Sequence, residues 1–285
     1  MTGTTESTSG GFGGQWTIEK LDILERYLDA YTTALKNQPF KLVYIDAFAG
    51  TGGISIRSAD DDAQSFIDGS AKLAIEIDAK PFDKLIFVEK DTRRYNRLAT
   101  LRSENPNRDI TTINSDANSF LSSLQEDWRI WRGVLFLDPF ATEVEWGTIE
   151  KIANLNALDT WILFPISAIT RMLPRSKNPD DISDAWANRL TRIFGDESWR
   201  GLYRASPQQS LFGDESYQRD PGTEGISSIY RVKLRSLFGT RVMETSRTLM
   251  NSKNSPLFEF VFCAGHPSGA AIAKRIAKHI LDAMG

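Results

Sequence analysis

Four carboxylates in this chain stand where an open α/β sheet places its ligand-binding groups. Asp46, Glu89 and Asp138 each end a short apolar run (Leu42–Ile45, Leu85–Val88 and Val134–Leu137) that reads as a buried strand. Asp116 lies just past a fourth run, Ile110–Ile113. Ligands bind outside the carboxyl ends of such strands, so the four side chains should face one crevice. Asp46 is followed by Ala47-Phe48-Ala49-Gly50-Thr51-Gly52, small residues that let the backbone turn sharply and a ligand come close. A carboxylate in the place of Glu89 can accept both hydroxyl hydrogens of a ribose. Asp116, with Ala117 next to it, can accept from an adenine amino group. Any one of these acids alone reads as a solvated strand end. Four in series with one glycine loop do not.

The identity of the ligand follows from what the loop lacks. A phosphate-binding P-loop needs Lys-Ser/Thr after its glycines, but Gly52 precedes Gly53-Ile54. A dinucleotide fingerprint needs a third glycine, and Ser55 stands there. The charge of Asp46 would also face a pyrophosphate. An acidic entrance suits the sulfonium and ammonium groups of S-adenosylmethionine instead. Asp46, Ala47, Phe48, Gly50 and Gly52 would then frame its methionine end, Glu89 its ribose, and Asp116 with Ala117 its adenine.

The elements that must position these residues alternate along the chain. An amphipathic helix over residues 17–36 carries Ile18, Leu21, Leu24, Leu28, Tyr31 and Leu35 at spacings of three and four, with Thr17 as its cap. Helices are predicted at 70–77, 92–103, 117–127 and 146–154, and strands at 42–45, 85–89, 110–113, 134–137 and 161–165. Alternation of this kind predicts a doubly wound, Rossmann-like α/β fold with a mostly parallel sheet. A helix over 223–238, two strands over 241–250 and 257–264, and a final helix over 267–283 opened by Pro267 complete the domain. The two strands flank Asn251-Ser252-Lys253-Asn254-Ser255-Pro256, a hairpin signal, which brings the expected sheet to seven strands with an antiparallel hairpin at its end. Residues 1–16 read as a disordered tail, 17–285 as one domain, and 170–222 as a helical insertion within it.

Composition narrows the setting. The chain has 285 residues, 41% hydrophobic and 25% charged, with no apolar run near the roughly 20 residues of a membrane span. A single cysteine, Cys263, excludes an internal disulfide, and with two histidines no metal site is expected. A cytoplasmic location is the default. Residues 1–150 hold 16 Lys+Arg against 24 Asp+Glu, while residues 151–285 hold 18 against 13. This polarity suits a cationic cofactor in the first half and an anionic partner for the second. In the insertion, Arg171, Arg175, Lys177, Arg189, Arg192, Arg200 and Arg204 surround Trp186 and Trp199. They read either as phosphate and base contacts or as solvated arginines over a small aromatic core. Cys263 reads as a core residue, His266 as a backbone-bonding residue at a helix start, and His279 as exposed.

The loop Asp46 to Gly52 resembles motif I of class I S-adenosylmethionine-dependent methyltransferases. The wider pattern is similar to the three-Cys-motif partner family, TcmP. It is carried by Tyr44-Ile45-Asp46-Ala47-Phe48-Ala49-Gly50, Gly69-Ser70, Phe87-Val88-Glu89-Lys90-Asp91, Phe136-Leu137-Asp138-Pro139-Phe140 with Trp146, Leu163-Phe164-Pro165, and Phe262-Cys263-Ala264-Gly265-His266-Pro267. The resemblance implies a methyltransferase-like fold and a partner protein with a three-cysteine motif. It also makes Asp138, Pro139 and Phe140 the catalytic candidates. In amino-methyltransferases an Asp/Asn-Pro-Pro-Tyr/Phe motif at this place grips a base amine, and the aromatic ring stacks on the extruded base. This chain has one proline there, closer to the Asp-Pro-Phe-Gly of tRNA guanine-N2 methyltransferases, with Ala141 in place of the glycine. The expectation is methyl transfer to a nucleic-acid base, RNA preferred to DNA, at an exocyclic amine. The alternatives are a non-catalytic methyltransferase-like partner subunit of the three-cysteine-motif protein, and a protein methyltransferase.

Overall fold

The structure, a computed structural model, describes residues 15–50, 69–78, 80–175, 178–205, 217–220 and 222–284. Seven strands form one sheet: β1 (Lys41–Asp46), β2 (Lys84–Glu89), β3 (Ile110–Asn114), β4 (Trp131–Leu137), β5 (Leu158–Phe164), β8 (Arg247–Met250) and β9 (Pro256–Cys263). Their order is β3-β2-β1-β4-β5-β9-β8, with β1 to β5 mutually parallel and β9 antiparallel to both its neighbours. The chain thus starts in the middle of the sheet, runs outward to β3, returns to β4 beside β1, and closes on a reversed strand. This doubly wound α/β arrangement is the one the alternation predicts. Its switch point lies between β1 and β4, where the order reverses.

Strand alternation supplies both faces of the sheet with apolar side chains. Val43, Ile45, Ile86, Val88, Leu135, Leu137, Ile162 and Phe164 pack under α4 (Ala117–Ser122), α5 (Trp146–Leu155), α6 (Ile166–Met172), α7 (Asp184–Phe194) and α8 (Glu224–Phe238). Leu42, Tyr44, Leu85, Phe87, Phe136, Trp161, Phe260 and Phe262 pack under α1 (Gln15–Leu35), α2 (69–75), α3 (Thr92–Glu104) and α9 (Ala270–Asp282). Each fully buried Phe or Ile contributes about 1.5–3 kcal/mol. Gly133 in β4 is needed by β1, because a Cβ there would lie 2.3 Å from the Val43 carbonyl oxygen.

Several expected boundaries move, each for a local reason. Helix α1 spans Gln15–Leu35, so Thr17 is inside it and not its cap; residues 1–14 lie outside the described residues. Its buried face is also rotated: Thr17, Lys20, Leu24, Tyr27 and Tyr31 point inward, while Ile18 is 62% exposed. The helix expected to residue 127 stops at Ser122, where the Ser123 hydroxyl caps the Phe120 carbonyl and the Asp127 carboxylate starts a new turn. The strand expected from residue 241 starts only at Arg247. Arg241 is buried and its guanidinium bonds the carbonyls of Phe238, Gly265 and Ala153, which holds the chain in a 3-10 turn. Pro267 opens a turn ahead of α9, and the helix itself starts at Ala270.

Within 170–222, several described residues pack against the rest of the sheet. Leu190, Ile193, Phe194 and Trp199 enter the same core as α5 and α8. After α7 comes a 3-10 segment, Glu197–Leu202, and a ribbon of β6 (Tyr203–Ala205) and β7 (Tyr217–Arg219). Strands of three residues leave no periodicity to read. Among the described residues, no helix is long and apolar enough to cross a membrane.

Candidate cofactor crevice and acceptor site

The loop after β1 folds back over the sheet. The Ala47 amide donates to the Phe136 carbonyl at 3.1 Å and the Ala49 amide to the Val88 carbonyl at 2.9 Å, locking the loop to both neighbouring strands. Gly50 has φ of 100°, a conformation that favours glycine. Gly52 lies outside the described residues. Asp46 is 1% exposed, and its Oδ1 accepts from the Phe48 amide at 3.2 Å. Its Oδ2 has no hydrogen-bond partner among the described residues. Burial pushes this carboxyl up to about 7, the Ser70 hydroxyl opposes the rise, and the Asp138 charge adds to it.

Asp138 does not stand alone either. Lys20 of α1, fully buried, donates from Nζ to Asp138 Oδ2 at 2.5 Å. Its ammonium also lies over the rings of Trp16 and Phe136, at 5.2 and 5.8 Å from their centroids. Burial pulls the Lys20 pKa down, and the neighbouring charges of Asp138 and then Asp46 resist this. Two carboxylates and one ammonium therefore share a dry space behind the strand ends. Lys20 was not among the residues the sequence singled out. A lysine in register with the buried face of an amphipathic helix, three residues after Thr17 and four before Leu24, is the signal that could have found it.

The remaining acids form the wall of an adjacent crevice of about 330 Å³, lined by Ala47, Phe48, Val88, Glu89, Asp116 and Ala117 among others. The Glu89 carboxylate accepts from the Asp91 amide at 2.6 Å through Oε1. Arg94 Nε lies 3.2 Å from Oε2, but the two are not aligned for a hydrogen bond, so Oε2 keeps a vacant acceptor direction. Burial raises the Glu89 pKa, opposed by the Asp91 amide and then the Arg94 charge. Asp116 is the N-cap of α4: its Oδ1 accepts from the amides of Asn118 and Ser119 at 3.0 and 3.2 Å. Its Oδ2 lies 3.6 Å from Lys90 Nζ.

The structure thus separates the predicted residues into two groups. Ala47, Phe48, Glu89, Asp116 and Ala117 share the crevice, whereas Asp46 and Asp138 sit behind it with Lys20. Pro139 packs inward with Ile162, Phe164 and Tyr230 around a small cavity. Phe140 points the other way, 61% exposed, and its amide donates to Glu143 Oε2 at 2.9 Å. On α7, Arg189 bonds the Thr142 hydroxyl and Arg192 lies 3.6 Å from Glu145, so this helix is tied to the loop that carries Phe140. Trp186 on α7 is 45% exposed. Trp199 is a core residue that donates to Thr191, and Arg200 stacks on it while pairing with Asp180 and Glu197. Arg171, Arg175 and Arg204 are exposed, and Lys177 lies outside the described residues. Cys263 is fully buried, which pushes its thiol pKa up, and His279 is exposed.

An S-adenosylmethionine molecule fits the donor set of these residues. Asp46 Oδ2 is a buried acceptor oxygen with no hydrogen-bond partner among the described residues, a place where a ligand's ammonium could donate. Glu89 offers a buried acceptor one strand away. Among the described residues no group of three metal-ligating side chains converges.

No family model matches the chain, and no curated protein matches it. Solved structures similar to it include a Thermobifida fusca protein proposed to be a methyltransferase (11% identity, 89% of this chain and 83% of that one, TM-score 0.42). Others are protein LPL1258 of Legionella pneumophila (15%, 76% and 92%, TM-score 0.37) and TYW2 of M. jannaschii in complex with AdoMet (12%, 72% and 77%, TM-score 0.30). At these scores the fold class rests on the strand order of this chain and not on the likenesses.

Proposed function

We propose that this protein is an S-adenosylmethionine-dependent methyltransferase whose acceptor is an exocyclic amine of a nucleic-acid base, in RNA rather than DNA. The observation that carries the reading is the buried Asp46 carboxylate, with Oδ2 unpartnered among the described residues, directly ahead of a glycine turn at the switch point of the sheet. A bound S-adenosylmethionine would supply an electrophilic methyl group. Asp46 would hold its ammonium end, Glu89 its ribose hydroxyls, and Asp116 with Ala117 its adenine. Asp138 would accept a hydrogen from the base amine and so aim the nitrogen lone pair, with Lys20 fixing the carboxylate in place. The exposed Phe140 ring is available to stack on an extruded base, and Trp186 with Arg189 and Arg192 would meet the surrounding strand.

Transfer of a radiolabelled methyl group to total RNA, comparing wild type with Asp138→Ala of matched fold, tests this reading. Loss of labelling in the variant by a hundredfold or more is expected. Equal labelling by both proteins would remove Asp138 from the mechanism, and labelled protein in place of RNA would move the acceptor to a polypeptide.

One observation favours a second reading. Asp138 already engages Lys20 at 2.5 Å, as a structural ion pair would. In that reading the chain is a non-catalytic partner subunit of a three-cysteine-motif protein and retains the cofactor without using it. Co-purification of the two proteins, with cofactor binding but no methyl transfer by either or both, would support it.

A further inference from the structure

A second cavity, of about 320 Å³, opens at the other end of the sheet. Its floor comes from the amino-terminal ends of the parallel strands: Phe40 before β1, Arg132 in β4, and Ala157 and Asp159 at the start of β5. Because β9 runs antiparallel, its exit delivers His266 to the same end. Helices α1 and α9 wall it with Ala34, Leu35, Ile272, Ala273 and Ile276. The cofactor crevice, at the carboxyl ends of the strands, shares none of these residues.

Several of the polar groups here are already engaged. Asp159 is the only acid among the described residues lining the cavity. Both its oxygens are engaged, accepting at 2.6 Å from the Tyr27 hydroxyl and from the Gly265 amide. Arg132 stacks over the Phe40 ring at 4.4 Å and donates from Nη1 to the carbonyls of Trp128 and Trp131. His266 accepts from the Ser268 amide at Nδ1, at 3.2 Å, which assigns its ring proton to Nε2 as a donor. Burial and the neighbouring Arg132 and Arg241 charges keep that ring neutral by lowering its pKa. The 13-residue helix α9 starts beside it at Gly269 with no side-chain cap. Tyr31, only 7% exposed as a residue, lines the cavity with a hydroxyl that has no hydrogen-bond partner among the described residues. That hydroxyl faces the cavity and is available to donate to a ligand's acceptor.

We propose that this cavity binds a small carboxylic acid with an apolar body, its carboxylate accepting from Tyr31 and His266 beside Arg132 and the amino end of α9. The one carboxylate here, Asp159, is already engaged, and Gln38 and Ser268 are neutral groups that can donate as well as accept, so with Tyr31, His266 and Arg132 facing the cavity an acceptor head group is favoured. The volume and the aliphatic walls suit a body of a few to about ten carbons, the lower end of ligand-pocket sizes. The site does not depend on what the cofactor crevice does.

Octanoate is the probe, titrated calorimetrically into the full chain, with octan-1-ol and octylamine as controls for chain length alone. Octanoate is expected to saturate one site and to bind at least tenfold tighter than either control. Tyr31→Phe, which removes no hydrogen bond from the free protein, is expected to weaken it about tenfold. Ile272→Glu, at a half-exposed wall position, is expected to abolish binding by setting a carboxylate against the ligand's own. Circular dichroism and S-adenosylmethionine titration of the variants should match wild type. Octan-1-ol binding as well as octanoate, no saturable binding of octanoate, or octanoate affinity unchanged in both variants would each overturn the proposal.

Discussion

Replacing Asp46 with asparagine should make the ligand-free protein more stable at pH 8 while crippling cofactor binding. Burial raises the folded-state pKa of Asp46 from 3.8 to about 7, a difference of about three pH units. At about 1.4 kcal/mol per unit, holding this group ionised costs the folded state at most about 4 kcal/mol. The sign follows from the direction of the change. A carboxyl with a raised folded pKa favours the folded state below pH 4, and that contribution is lost as the pH climbs through about 7. Asparagine has nearly the same shape and no charge, but its own N–H must be buried, which removes part of the gain. A net gain of about 2 kcal/mol at pH 8 remains, or about 3–4 °C in the unfolding midpoint for a chain of this size. At pH 5, where wild-type Asp46 is protonated, the variant should be equal or slightly worse. Thermal unfolding across pH 5 to 8 reads this directly. In the wild type, affinity for S-adenosylmethionine should rise about tenfold per pH unit up to pH 7 and then level, with proton uptake by buffer visible in calorimetry. The variant should show weak, flat binding. A lowered midpoint of similar size at pH 5 and pH 8 would mean that Asp46 is satisfied by contacts inside the folded protein, and the cation-binding role would fall with it.

Two further outcomes follow from the same cluster and its surroundings. Lys20→Met should cost about 3–5 kcal/mol in urea unfolding, because it leaves two buried carboxylates without their counter-charge, and adding Asp138→Asn should restore most of it. No restoration would mean that Lys20 stabilises through its packing alone. Phe140→Ala should leave the unfolding midpoint within about 1 °C, since the ring is 61% exposed, yet raise the KM for RNA by about tenfold or more. An unchanged KM would take the ring out of substrate binding.

The sheet was legible because burial on both faces writes near-continuous apolar runs into the parallel strands. Leu42–Ile45 and Val134–Leu137 could hardly be anything else, but of the four acids that follow the strands only Glu89 and Asp116 line the crevice. What escaped was long-range or short. The partnership of Lys20 with Asp138 spans 118 positions and leaves only an odd lysine on a helix face. The β6–β7 ribbon is too brief for periodicity, and Arg241, buried by three carbonyls, displaced a strand that propensity favoured. Ile18 and Leu21 drew the apolar face of α1 to one side, whereas the charge on Asp138 drew Lys20 inward and turned the helix. Phe140, offered by its motif as a stacking ring, is 61% exposed.

The first helix is also the last to find its place during synthesis. Its buried stripe rests on β5 and β9 and against α9, through Tyr27 on Trp161 and Phe262 and through the burial it shares with Ala273 and Ala277. Those partners emerge more than 100 residues after α1 has left the ribosome. Until then the Lys20–Asp138 pair lacks the cover that buries it in the finished fold. The ionic centre is therefore sealed only when the C-terminal hairpin closes the sheet, so a chain truncated before β9 would carry every acid of the crevice and still lack a finished site.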